Sequence, residues 1–129
     1  MDFDSLYKKV RRRAPASLDV DAMATRCRAR NQALVADWRR RFPDLNSAVL
    51  EIAVHASGQS RRRLRRYREF MDFKSGTPGI LVLRRLTMFD DILDFTVIEI
   101  VAAAARADIE QVEWRFLTAA EALADSAPP

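Results

Sequence analysis

The stretch TPGILVLRRLTMFDDILDFTVIEIV, residues 77–101, decides whether the chain forms helices alone or helices with a sheet. Thr77 and Pro78 suit the cap and first turn of one helix, and Asp90 with the acidic residues after it suits the first turn of another. The β-branched residues in ILVL and FTVIEIV also allow two strands that pair around Asp90. The acidic first turn favours helix, and this interpretation predicts an all-α fold.

Hydrophobic periodicity and capping residues outside this stretch predict a single-domain bundle of about five to six helices for the 129-residue chain. Its other helices are expected from Asp4 to about residue 14, from Ser17 or Asp19 to Phe42, from Asp44 or Asn46 to Gly58, from Ser60 to Gly76, and from behind Asp108 to Leu123. Charge divides this single domain, 1–129, into a basic part, 1–74, an acidic helical part, 75–125, and a frayed tail, 126–129.

The formal net charge of +4 conceals a marked asymmetry along the chain. Eighteen basic against nine acidic residues give +9 through Lys74, whereas four basic against nine acidic residues give −5 beyond it. Such a distribution favours an electropositive surface for an anionic partner. The alternative is that most of these arginines only form a solvated surface.

The composition argues against an exported, membrane-spanning or disulfide-bonded protein. The N-terminal residues MDFDSLYKKVRRR lack the apolar run of a signal peptide, and the most apolar window, FTVIEIVAAAA, is interrupted by Glu99. A membrane-spanning helix needs roughly 20 apolar residues. Cys27 is the only cysteine, which excludes an internal disulfide. We therefore expect a cytoplasmic protein with no membrane span.

The stretch VLEIAVHASGQSRRRLRRYREF, residues 49–70, resembles the helix-turn-helix pattern of bacterial DNA-binding proteins. Gly58 fits the turn, Ser60 fits the cap of the second helix, and Leu64 and Tyr67 fit its inward positions. The resemblance implies a helix-turn-helix-like segment at 46–74 whose second helix contacts DNA.

Six of the eight residues at 61–68 are arginine. Like charges this close repel by a few tenths of a kcal/mol per neighbouring pair, and phosphate binding would relieve that repulsion. The predicted nucleic-acid-binding residues are Arg61, Arg62, Arg65, Arg66 and Arg68. The basic stretch from Lys8 to Arg13 is the alternative phosphate contact.

Catalysis has little support in the sequence. His55 is the only histidine, so a histidine-rich metal site is excluded, and we expect no metal and no cofactor. Cys27 lies on an apolar stripe and is interpreted as an inert core thiol. Trp38, Trp114 and Phe116 are interpreted as core or interface aromatics.

These observations predict a small DNA-associated protein, regulatory in role, that binds and does not catalyse. The alternative is a protein-interaction adaptor or inhibitor whose arginines meet an acidic protein surface. An α-helical enzyme that uses the aspartates and a peripheral membrane protein are more distant alternatives. We also expect a homodimer that uses the acidic C-terminal part, with Trp114 and Leu117 as contacts.

Overall fold

The computed structural model describes residues 3–126 and contains a sheet beside its helices, so the all-α prediction is wrong. The elements described are α1 (Phe3–Arg13), α2 (Val20–Arg41), β1 (Ser47–His55), α3 (Gly58–Leu64), a 3₁₀ turn (Arg68–Phe70), β2 (Lys74–Ser75), β3 (Ile80–Met88), α4 (Asp91–Arg106), β4 (Val112–Leu117) and α5 (Ala119–Ser126). The strands form one sheet in the order β2-β3-β1-β4, and each neighbouring pair is antiparallel.

From β1 to β4 the connectivity is β-α-β-β-α-β, the arrangement called split βαβ or ferredoxin-like. Strand β3 lies between β1 and β2, and β1 lies between β3 and β4. The first crossover helix, α3, has only seven residues. Helices α1 and α2 precede this unit and pack on the second crossover helix, α4.

Strand β1 replaces the helix expected from Asp44 or Asn46 to Gly58. Alternate residues Ala48, Leu50, Ile52 and Val54 are buried, which is the period of a strand. The residues between them are also largely apolar, because β1 is central in the sheet and is covered in part on its second face. A central strand of this kind lacks clear alternation in sequence, and this is why 47–55 was mistaken for a helix.

The stretch at 77–101 contains one strand and one helix. ILVL begins β3, but its partners are β1 and β2, whereas FTVIEIV lies within α4. The helix expected at Asp90 is confirmed, but Asp90 is its N-cap and not a residue of its first turn, since the carboxylate accepts a hydrogen bond from the amide of Ile92 at 3.0 Å. The helix expected behind Asp108 is wrong over β4, which pairs with β1.

The two N-terminal helices are confirmed. Asp19 caps α2 by accepting a hydrogen bond from the amide of Ala22 at 3.0 Å, and α2 ends at Arg41, two residues before Pro43. Residues 1–2 and 127–129, which include most of the expected tail, lie outside the described part of the chain.

The main core lies between α4, α2 and one face of the sheet, which we call the helix-covered face. Trp38 of α2 meets Phe116 of β4 edge to face at 5.9 Å between ring centroids. Phe116 is opposite Leu50 of β1, so both residues belong to this face. No helix among residues 3–126 is long and apolar enough to cross a membrane.

The opposite face of the sheet, which we call the far face, carries a buried carboxylate between two arginines. Glu51 of β1 binds Arg84 of β3 at 2.7 Å and Arg115 of β4 at 2.8 Å. Helix α5 packs on β1 and β4 beside them, and Arg84 also donates to the carbonyl of Ala122. Part of this face is left open, because Leu86 and Met88 are exposed.

Candidate functional site, a basic pocket beside the arginine segment

The arginine segment, residues 61–68, is not one helix. Helix α3 ends at Leu64, Arg65 and Arg66 lie in a turn, and Arg68 begins the 3₁₀ turn. The element before α3 is strand β1, so the helix-turn-helix interpretation of 46–74 is wrong. A helix of two turns behind a strand does not present the long recognition helix that this motif inserts into the major groove.

Gly58 has the positive φ expected of it, at +60°. Its position differs from the expectation, because Gly58 is the first residue of α3 and does not end a preceding helix. Ser57, not Ser60, occupies the N-cap position, and its side chain makes no capping hydrogen bond. The left-handed residue therefore turns the chain from the end of β1 into the arginine segment.

Three arginines of the segment are tied to neighbouring elements. Arg61 donates to the hydroxyl of Ser75, and Arg65 donates to the carbonyl of Phe73 at 2.8 Å. Arg63 donates to the carbonyl of Arg106 and lies 3.4 Å from a carboxylate oxygen of Asp108. These bonds fix the segment on the end of the sheet and on the end of α4.

The remaining three arginines have no such ties. Arg62, Arg66 and Arg68 are exposed, and their side chains make no hydrogen bond or ion pair with any residue that the structure describes. Three of the five predicted nucleic-acid-binding residues therefore have their guanidinium groups available. The other two, Arg61 and Arg65, use at least one donor within the fold.

A pocket of about 340 Å³ lies where the 3₁₀ turn meets α1 and α4. Its basic residues come from all three elements and are Lys9, Arg12, Arg13, Arg68 and Arg106. Its apolar residues are Leu6, Val10, Ala14, Phe95, Ala102 and Ala103. Glu69 and Glu99 complete the lining. The basic stretch of α1, separate in sequence from the arginine segment, thus meets the end of that segment.

Glu69 holds two of these cations in place. One terminal nitrogen of Arg106, Nη2, lies 3.2 Å from Oε1 and 3.1 Å from Oε2 of Glu69, and Nη1 of Arg13 lies 3.5 Å from Oε2. Arg106 also stacks over the ring of Tyr67 at 4.4 Å from the centroid. The Glu69 side chain is only 5% exposed. Burial alone would raise the pKa of Glu69, but a hydrogen bond with its own amide and the two arginines outweigh burial and lower it.

Glu99 behaves in the opposite way in the same pocket. Burial, followed by the nearby Glu69 charge, raises the pKa of Glu99, while Arg68, Arg13 and Arg85 oppose the increase. The side chain of Glu99 makes no hydrogen bond with a residue that the structure describes. Two carboxyl groups with divergent pKa values in one cavity are typical of functional sites.

Sequence reasoning missed the pocket because its residues are distant along the chain. The Glu69–Arg106 contact spans 37 residues. One local signal was present, since Glu99 interrupts an otherwise apolar stretch of α4. The spacing of Glu99, Ala102, Ala103 and Arg106 places them on one face of that helix.

Other candidate residues have structural surroundings. The Nε2 atom of His55 lies 3.1 Å from a carboxylate oxygen of Glu113. Cys27 is buried, and burial raises the pKa of its thiol to about 11, which keeps it protonated and unreactive at neutral pH. Asp94 accepts a hydrogen bond from Asn31 at 2.8 Å. Residues 3–126 contain no group of three or more histidine, cysteine or acidic residues that could hold a metal ion.

The aromatic residues expected in the core or at an interface lie in the core. Trp38 and Trp114 are buried, and the indole of Trp114 donates to Asn31 at 2.8 Å. Leu117 is also buried. Trp114 and Leu117 are therefore covered by this chain itself and are not available as contacts between two copies, contrary to expectation.

No family model, curated protein or solved structure matches the chain. The fold and site therefore define only a class, a mixed α/β domain with an antiparallel sheet and a basic pocket at one end.

Proposed function

We propose that this protein binds nucleic acid, with DNA as the preferred partner, through phosphates and without catalysis. The observation that supports the proposal is the meeting of two basic stretches, because Lys9 and Arg12 of α1 line the same pocket as Arg68. Residues about 55 positions apart in the chain thus form one electropositive surface. The proposal includes a cytoplasmic location and a regulatory role.

The charge of this surface is not neutralised by the fold. No ion pair with a described residue is formed by the side chains of this surface, which are Lys9, Arg12, Arg62, Arg66 and Arg68. Guanidinium groups bind phosphate oxygens through paired donors, and each phosphate that they neutralise releases counterions. Nucleic-acid binding would relieve the mutual repulsion of these cations.

Contact with phosphates fits the structure better than contact with bases. On β1, β3 and β4 the far face of the sheet carries no phenylalanine, tyrosine or tryptophan, since Trp114 and Phe116 belong to the helix-covered face. Sheets that bind single-stranded RNA stack bases on exposed aromatic rings. Helix α3 is also short for reading the major groove. We therefore expect weak sequence preference.

The test is a salt titration of binding to a labelled DNA duplex. Contact with about five phosphates gives a slope of log affinity against log salt of about −4 to −5. Replacing Arg62, Arg66 and Arg68 together by glutamine should flatten the slope by about 2 to 3. The same change should alter the free energy of unfolding by less than about 0.5 kcal/mol, because these side chains are exposed.

The matched control removes the same charge elsewhere. Arg39, Arg40 and Arg41 end α2 and precede the first residue of β1, whereas the arginine segment follows its last residue. The strand that lies between the two groups along the chain is roughly 30 Å long. Their replacement by glutamine should leave most of the slope in place. An equal loss in both triple variants would mean that only net charge matters. Absence of DNA binding at low salt would favour the alternative, an acidic protein partner.

A further inference from the structure

The wall of the basic pocket that belongs to α4 is shaped by small residues. Phe95, Glu99, the adjacent pair Ala102 and Ala103, and Arg106 are separated by three or four residues along that helix, so they share one face. The two alanines leave space between the carboxyl group of Glu99 and the guanidinium group of Arg106. Val10 of α1 closes the space from the opposite side.

The size of this space suits a small organic molecule. Ligand pockets commonly have volumes of about 300–1,000 Å³, with mostly apolar walls and a few polar groups that orient the ligand. The pocket here, at about 340 Å³, is at the lower end of this range. A polymer backbone alone would not use the apolar floor that Phe95, Ala102 and Ala103 provide.

The basic residues of the pocket indicate the polar part of a ligand. Glu69 forms ion pairs with Arg13 and Arg106. The other three cations form no ion pair with any residue among 3–126, and they are Lys9, Arg12 and Arg68. These three cations flank an apolar floor. A complementary ligand carries an anionic group for them and an apolar group for the floor.

We propose that the pocket binds a small amphipathic anion, in which a carboxylate, sulfonate or phosphate is joined to one apolar group of about two fused rings or a medium-length chain. The anionic group lies at Arg12 and Arg68, and the apolar group lies over Ala102 and Ala103 against Phe95. The side-chain carboxyl group of Glu99 makes no hydrogen bond with a described residue, so it is a further polar group that faces the ligand. This inference goes beyond the proposed function, since it assigns a small-molecule site whose cations, Arg12 and Arg68, also belong to the proposed surface for nucleic acid.

The probe is 8-anilinonaphthalene-1-sulfonate, whose fluorescence increases in apolar sites. We expect saturable binding of one equivalent to the full chain at neutral pH and low salt. Decanoate and 1-naphthyl phosphate serve as competitors that separate aliphatic carboxylates from aryl phosphates, and at least one of them should displace the probe. The uncharged 1-naphthol should displace it at least tenfold less well than 1-naphthyl phosphate does.

Matched variants locate the site. Arg12→Glu, at the pocket, should weaken binding at least tenfold, whereas Lys8→Glu makes the same charge change on α1 outside the pocket lining and should have little effect. Ala103→Leu should also weaken binding by filling the pocket. Since Ala103 is buried, circular dichroism must show that this variant is folded, and Arg12→Glu carries the test if it is not.

Two outcomes overturn the inference. One is binding that Arg12→Glu leaves unchanged. The other is binding that is lost in Leu86→Lys, because the probe would then occupy the exposed apolar part of the far face. Neither outcome depends on DNA, so the pocket and the nucleic-acid proposal can fail separately.

Discussion

Two groups of arginines in this protein have the same chemistry and opposite surroundings. Arg84 and Arg115 lie on either side of the buried carboxylate of Glu51 on the far face of the sheet. Arg62 and Arg66 are exposed at the end of the sheet and form no ion pair with a residue that the structure describes. The first pair is held within the fold by Glu51, whereas the guanidinium groups of Arg62 and Arg66 are left accessible.

The difference shows that the number of arginines does not predict their role. Pairing across strands brings Glu51, Arg84 and Arg115 together from positions up to 64 residues apart. No acidic residue among 3–126 forms an ion pair with Arg62 or Arg66. What distinguishes the two groups is the position of a few glutamates in three dimensions.

The largest expected effect comes from removing the shared carboxylate. Glu51→Gln should destabilise the protein by about 2–3 kcal/mol, because two guanidinium groups, one of them largely buried, lose their partner. Urea denaturation measures this change. Glu113→Gln, which removes an exposed partner of His55, is the control and should cost less than about 0.5 kcal/mol. Equal effects would mean that the paired arginines stabilise the fold no more than exposed ones.

A smaller effect is expected at the start of the segment that carries the unpaired arginines. Gly58 has φ of +60°, where a β-carbon is strained although no neighbouring atom obstructs it. Gly58→Val should cost about 1–2 kcal/mol in thermal or urea unfolding. Gly58→Asn is the control and should cost less, since asparagine tolerates this region better. If both variants match the wild type, the left-handed turn into the segment is wrong.

The smallest expected effect is on the pH dependence of stability, which has opposite signs for Glu99 and Glu69 in the pocket. Burial raises the pKa of Glu99, so its ionisation opposes folding as pH rises above the ordinary value of 4.5. Glu99→Gln should equal the wild type at a pH below 4.5 and should be more stable at neutral pH.

Glu69 provides the opposite case in the same cavity. The pKa of Glu69 is lowered, so its stabilisation is present above pH 4.5 and is lost as pH falls through the lowered pKa. Glu69→Gln should therefore be less stable than the wild type at neutral pH and approach it in acid. Thermal unfolding at a series of pH values checks both variants. A shift of the same sign at neutral pH for the two would contradict the assignment.

The sequence predicted the helices with polar caps and missed the strands. Asp19 and Asp90 mark α2 and α4 because a capping carboxylate acts within three residues of its own position. Strand β1 depends on partners at 80–88 and 112–117, and its apolar residues on both faces hide the period of two. Local pattern could therefore locate helix starts but could not determine strand pairing.

The candidate site was predictable to a similar extent. The arginine segment was evident from composition, and its exposure at Arg62, Arg66 and Arg68 fits a binding role. The contacts that occupy Arg61 and Arg65 depend on Ser75 and Phe73, which fold back through β2 and the loop before it. No spacing rule connects these positions.

The strand order also has a consequence for how the chain folds during synthesis. Strand β1, one of the two central strands, leaves the ribosome before β4, and β4 pairs Leu117 with Val49 across 68 residues. Closing such a long loop costs entropy before any strand contact repays it, so sheets with distant partners form slowly. Until the last strand is made, one edge of β1 is open to pairing with another chain. We therefore expect aggregation from states in which β1 is formed and β4 is not yet paired with it.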